Sequence, residues 1–190
     1  AIDTTENLDA TGGTSSSEPE DLSSNEVQDP HSYLILSAGN AEELTFEYVT
    51  TNSETQTSFW GQFFRFDGIS GEKFETVDHE GELISITELE LPDGVYYIDE
   101  SKQTVYRYTD TADDLMLYRL MAITANDPVE IKDSAEGKCY LYELPFDQDD
   151  TMVYRYEILM TANGIKSLDT FLDDRPINHI SFTDFLSVAS

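Results

Sequence analysis

From residue 43 onward, apolar side chains fall at every second position, the period of a strand with one buried face. Leu44, Phe46 and Tyr48 alternate with Thr45, Glu47 and Val49. Asn52-Ser53-Glu54 turns the chain, and residues 57–66 resume as strand. Phe59, Gly61 and Phe63 share one face there, and Trp60, Gln62, Phe64 and Phe66 the other. Gly61 inside the run is a candidate bulge. Asp67-Gly68 and Ser70-Gly71 read as turns, and residues 72–77 as strand. His79-Glu80-Gly81-Glu82 turns again before a strand at 83–89. Pro92-Asp93-Gly94 then opens a hairpin. Residues 95–98 and 104–108 are β-branched and aromatic, and residues 99–103 join them as a polar connection. Strands at 138–144 and 152–160 flank a loop at 145–150. Asn163-Gly164 is the strongest two-residue hairpin signal, returning as a strand at 165–172. Asp173-Asp174-Arg175-Pro176 turns once more. Residues 177–183 close the sheet, with Asn178, Ile180 and Phe182 on one face and Ile177 and His179 on the other.

Two segments break this period. Asp29 is a good N-cap and Pro30 suits the first helical position, so residues 31–38 read as a short helix stopped by Gly39-Asn40. Tyr33, Leu34 and Leu36 would be its partly buried residues; a strand is the rival reading. Residues 112–123 are rich in Leu and Met and poor in β-branched residues, which favours helix, with Asp113 and Asp114 as caps. A buried strand is the alternative. Ala125-Asn126-Asp127-Pro128 ends it. The sum is an α+β, mainly β domain: a curved antiparallel meander sheet, an incomplete barrel of about nine strands packed on one or two helices. No long crossovers alternate with strands, which argues against a parallel sheet.

Residues 1–28 contain no Lys, Arg, Phe, Tyr or Trp. They cannot bury enough surface to offset the entropy of ordering them, and they read as a disordered acidic Ser/Thr/Gly tether. Residues 29–190 form the single folded domain. Ala1 in place of an initiator methionine leads us to expect that an upstream signal segment has been removed and that the tether joins the domain to a cell-surface anchor. No apolar run is long enough to span a bilayer as a helix.

The chain carries 39 acidic and 10 basic side chains, a net charge of −29. That balance argues against nucleic acid, whose phosphates need clustered Lys and Arg, and against docking on an anionic membrane surface. It favours a soluble monomer kept apart by like charge. The one cysteine, Cys139, lies in a strand-like run and reads as a small semi-buried residue, not a nucleophile. His31, His79 and His179 lack metal-ligand spacing. His79, between Asp78 and Glu80, reads as an exposed turn residue. Asp147-Gln148-Asp149-Asp150 is a weak calcium candidate without the glycine and terminal glutamate of a calcium loop. No phosphate loop, nucleophile elbow or metalloprotease helix is present. No enzyme, metal or cofactor is expected.

An aromatic-x-aromatic spacing recurs at Phe46/Tyr48, Phe64/Phe66, Tyr106/Tyr108, Tyr140/Tyr142 and Tyr154/Tyr156. On strands each pair projects to one face. Such a face is either an ordinary core against a helix or the lining of a concave sheet that holds an apolar ligand. The candidate lining is Phe46, Tyr48, Phe64, Phe66, Tyr106, Tyr108, Tyr154 and Tyr156.

The runs G-V-Y-Y-I-D-E-S-K-Q-T-V-Y-R-Y, K-C-Y-L-Y-E, M-V-Y-R-Y-E and I-S-F-T-D-F resemble the strand order of bacterial lipoprotein-carrier-like half-barrels of the LolA/LppX type and their Gram-positive cell-surface relatives. The resemblance covers roughly residues 30–185. It implies an incomplete antiparallel barrel wrapped around helices, with an apolar cavity for acyl chains or lipoproteins and no catalysis. The family carries several lid helices, where this chain offers two candidates, and no family motif transfers ligand-binding residues. The expected function is a non-enzymatic extracytoplasmic domain binding a lipid or other apolar small molecule. The alternative is a structural or protein-interaction module of a cell-surface lipoprotein, with a surface protein as partner.

Overall fold

The computed structural model describes residues 28–39, 41–108, 115–146, 149–183 and 185. The expected tether lies outside the described residues, apart from Gln28. So do the caps Asp113 and Asp114 and, within the calcium candidate, Asp147 and Gln148.

The first helix, α1, runs Pro30–Ala38, and Asp29 caps it by accepting the Ser32 N–H at 3.0 Å. Leu34 is fully buried and Tyr33 half-buried, but Leu36 is 70% exposed, against expectation. Helical geometry brings Leu34 and Ala38, four apart, onto the buried side and turns Leu36 away from both.

Six strands follow: β1 Leu44–Asn52, β2 Ser58–Phe66, β3 Ile69–Val77, β4 Leu83–Leu91, β5 Gly94–Asp99 and β6 Thr104–Tyr108. The second helix, α2, is Met116–Thr124. Five more strands complete the chain: β7 Glu130–Asp133, β8 Lys138–Phe146, β9 Asp149–Thr161, β10 Gly164–Leu172 and β11 Arg175–Thr183. All belong to one open antiparallel sheet of 11 strands, two more than the periodicity suggests. Strand β7, four residues long and exposed, lies outside the expected runs, with no alternation to betray it. Ser70-Gly71 is not a turn but the start of β3, and lengthens the strand expected at 72–77. Asp67-Gly68 makes that hairpin by itself, both residues at positive φ, which matches the strand twist. Arg175-Pro176 likewise belongs to β11, leaving Asp173-Asp174, also at positive φ, as the turn.

The strand order is β6-β5-β4-β3-β2-β1-β11-β10-β9-β8-β7. The sheet is therefore two meanders joined along their first and last strands. Strand β11 does not close an edge; it pairs with β1 in the middle, from Glu47↔Thr183 to Asn52↔Asn178. The two edges, β6 and β7, are successive in sequence, and the segment between them carries α2 across the sheet.

Burial on β1 alternates strictly, with Leu44, Phe46, Tyr48 and Thr50 buried. Cross-strand register carries this inner face to both edges. Phe63 stacks on Phe46 with ring centroids 5.1 Å apart, and Phe182 and Phe185 close on the same ring at 6.1 and 4.5 Å. On the other half the inner face presents Tyr140, Tyr142, Tyr156, Ile158, Met160 and Leu168. Leu117, Leu120 and Ile123 of α2 pack into the resulting core. Gly61 is not a bulge, since β2 runs in unbroken register with β1 and β3. It faces Tyr48, and a Cβ there would meet Tyr48 Cζ at 2.1 Å. The glycine is the space that the tyrosine ring occupies.

Gly61→Ala is expected to destabilise the fold by about 1–3 kcal/mol by overpacking against Tyr48. Urea denaturation should show a lower midpoint at unchanged slope. In a Tyr48→Ala background, Gly61→Ala should cost less than it does alone, since the clash is gone.

Candidate functional site

Both helices are fastened to the inner face by charged side chains at their ends. Arg65 of β2 donates from Nη1 to the carbonyl of Ala38, the last residue of α1, at 2.9 Å. Glu72 of β3 accepts the backbone N–H of Met116, the first residue of α2, at 3.1 and 3.3 Å to its two oxygens. Leu115 precedes that helix and offers no side-chain cap, so the distant carboxylate supplies the missing acceptor. Each charge also has the sign that the helix end prefers. His31 Nδ1 lies 3.3 Å from Thr124 Oγ1, tying α1 to the end of α2.

Glu72 is 1% exposed. It also accepts the Tyr48 hydroxyl at 2.7 Å. Burial pushes its carboxyl up from the ordinary 4.5 to about 7, and the charge of Glu88 adds to the push. The bonds from Tyr48 and Met116 and the positive charge of Arg119 pull the other way. Glu88 lies directly across from Glu72 in register and is itself 4% exposed. Two carboxylates so placed disfavour double ionisation. Burial likewise raises the Tyr48 phenol far above its usual range, with the Glu72 charge second.

Beside this carboxyl the inner face is open. A cleft of about 370 Å³ is lined by Tyr48, Thr50, Phe59, Glu72, Phe74, Met116, Arg119, Asn178 and Ile180. Rings and aliphatic chains form its walls. Its polar groups are the Glu72 carboxyl with the Tyr48 hydroxyl bonded to it, the Arg119 guanidinium, the Asn178 amide and the Thr50 hydroxyl. Thr50 is 4% exposed, and among the described residues its Oγ1 has no hydrogen-bond partner. Thr170, which pairs with Asn178 on the same face, also has an unpartnered Oγ1. A larger hollow of about 470 Å³ lies at the β10–β11 hairpin end, between Glu54, Met152, Asp173 and Arg175. Its charged side chains are exposed, so it offers nothing that water does not already satisfy.

Of the eight aromatic residues expected to line a cavity, register places Phe46, Tyr48, Tyr106, Tyr108, Tyr154 and Tyr156 on the inner face. Only Tyr48 reaches the cleft. Phe46 lies in the packed ring cluster, Tyr154 and Tyr156 contact each other at 5.7 Å on the far half, and Tyr106 and Tyr108 are 51% and 48% exposed on edge strand β6. Phe64 and Phe66 point to the opposite face, a correction that follows from Phe63 being the inward residue of β2. Phe64 rests there over Gly71, and Phe66 is 48% exposed. The periodic reading thus missed Thr50, Phe59, Glu72, Phe74, Arg119 and Asn178. The alternation did hold one clue: Glu72 occupies an inward position, two residues before Phe74.

Other candidate chemistry lies away from the cleft. Cys139 is half-buried, and burial, then the charge of Glu157, raises its thiol, which suits a packing role. The His79 side chain is 88% exposed in its turn. Among the described residues no group of three or more His, Cys, Asp or Glu side chains could hold a metal, and no helix is long and apolar enough to cross a membrane. In comparison with known proteins, no family model matches the chain and no curated sequence matches it.

The Glu72 proton links stability to pH. Above pH 4.5 the unfolded chain has released a proton that the folded chain keeps until about pH 7. This group's contribution therefore falls as pH rises through that window, by roughly 3 kcal/mol in all. Glu72→Gln keeps the acceptor for Tyr48 and Met116 but removes the titration. Unfolding free energies of the two proteins across the window should converge and cross, with the variant gaining relative to wild type as pH rises. Parallel curves would show that Glu72 is ionised throughout.

Proposed function

We propose that this chain is a non-enzymatic, extracytoplasmic domain that holds a small apolar ligand, such as an acyl chain or another lipid, in the cleft between α2 and the inner face of the sheet. The observation that carries this reading is the cleft itself. This inner face leaves a cleft of about 370 Å³ open among Phe59, Phe74, Met116 and Ile180. That volume sits at the small end of ligand pockets, which are mostly apolar with a few placed polar groups. The open antiparallel sheet of 11 strands with two helices is compatible with a lipoprotein-carrier-like half-barrel, and the strand runs quoted above resemble that family. Extracytoplasmic placement on an acidic N-terminal tether, and a monomeric state kept by the net charge of −29, belong to the same proposal.

A second reading is favoured by the edges. Strand β6 exposes Val105, Tyr106 and Tyr108, and β7 exposes Ile131. Exposed edges accept an added strand, so a cell-surface protein could dock there and leave the cleft incidental.

The cleft reading predicts acyl-chain uptake by the full chain, seen as added mass in native mass spectrometry after incubation with medium-chain lipids. Asn178→Trp, which fills the cleft from a half-buried position, should weaken uptake by about tenfold or more. Wild-type protein that takes up no acyl probe would sink the cleft reading and leave the edge strands as the functional surface.

A further inference from the structure

The walls of the cleft are suited to a chain, but its floor is suited to something charged. Thr50 brings a hydroxyl that is almost fully buried and bonded to nothing among the described residues. A buried hydroxyl with no partner is costly, and a polar group entering the cleft would satisfy it. Arg119 projects from the first turns of α2 into the same cleft, and its charge is felt at both Glu72 and Tyr48. Asn178 adds an amide from β11. The two groups that could repel an anion are restrained. Glu72 already receives Tyr48 and the Met116 N–H, and burial favours its neutral form. Glu88 lies one strand farther out, opposite Glu72, and is not part of the cleft wall.

We infer that the cleft selects a monocarboxylate, held by its head on Arg119 and the Thr50 and Asn178 side chains, with its apolar chain against Phe59, Phe74, Met116 and Ile180. The inference rests on the cleft reading above and narrows it to one head group. Guanidinium is the side chain best matched to a carboxylate, because its planar fork donates two parallel bonds. Phosphate shares that recognition, but its second negative charge would sit beside the buried Glu72 carboxyl in a chain of net charge −29. A cationic head would find Glu72 largely engaged and Arg119 opposed to it.

Four probes with the same ten-carbon chain separate these outcomes: decanoate, decanol, decylamine and decyl phosphate, each titrated calorimetrically into the full chain stripped of lipid. Decanoate should bind about tenfold more tightly than decanol. Arg119→Met should remove that preference while leaving decanol affinity within about twofold, and Arg119→Lys should restore part of it. Thr50→Val, close to isosteric, should weaken decanoate severalfold and leave the urea midpoint unchanged or higher, since the orphan hydroxyl is gone. Circular dichroism confirms that each variant is folded. Equal binding of decanoate and decanol, or decanoate binding indifferent to both Arg119 variants, overturns the head-group inference but keeps the cleft reading. Preference for decylamine assigns the head to Glu72 and overturns it, as does preference for decyl phosphate, which would assign a divalent head. Binding of none of the four overturns the cleft reading and the inference together.

Discussion

The buried carboxyl of Glu72 is the contact on which the arrangement depends. It lies on the inner face of β3, 1% exposed, and takes the first N–H of α2 and the hydroxyl of Tyr48. Burying a carboxyl is costly unless its lone pairs are filled or a proton is kept. Here both remedies act at once. The carboxyl in turn fills a vacancy that α2 cannot fill for itself, since Leu115 has no side-chain acceptor to offer its helix. Sheet and helix each satisfy a need of the other through this one carboxyl.

That contact matters because of where α2 sits in the topology. The chain begins and ends its sheet in the middle, at β1 and β11, and reaches its two edges at β6 and β7. Each half is a set of local hairpins that needs little loop closure. Among the described residues the halves pair in the sheet through β1 and β11, which join residues more than a hundred positions apart, such as Tyr48 and Phe182. The helix runs between the edges and packs Leu117, Leu120 and Ile123 into the shared core. Arg65 on the carbonyl of Ala38 does for α1 what Glu72 does for α2. The open sheet is thus covered on one face by two short helices, one held at its end by a basic side chain and the other by an acidic one.

The polar fastening also explains why the inner face is not packed solid. Phe46, Phe63, Phe182 and Phe185 fill one end of it. Toward Thr50 and Phe74 the row of inward residues becomes mixed, and α2 stands on a carboxyl there instead of on a ring. An apolar core would collapse on such a gap. The cleft there is lined by Glu72, Arg119 and Asn178 as well as by rings, so it is not an apolar gap of that kind.

The alternation of apolar and polar residues was enough to identify the antiparallel sheet, most of its hairpins, and the shared face of each aromatic pair, such as Phe46/Tyr48 and Tyr154/Tyr156, because the pleat imposes a period of two whatever the neighbours are. It was also enough for α1, whose Asp29-Pro30 start is a local signal. It misplaced Phe64 and Phe66 because β2 has rings on both sides, so its period does not say which face is inside; pairing with β1 decided that for Phe63. It took Ser70-Gly71 for a turn because it could not see the Phe64 ring that lies over Gly71. The central pairing of β1 with β11 and the meeting of Glu72, Tyr48, Thr50, Arg119 and Asn178 were decided only by the tertiary structure. Those residues come from β1, β3, α2 and β11, and no local rule records a distance between elements so far apart along the chain.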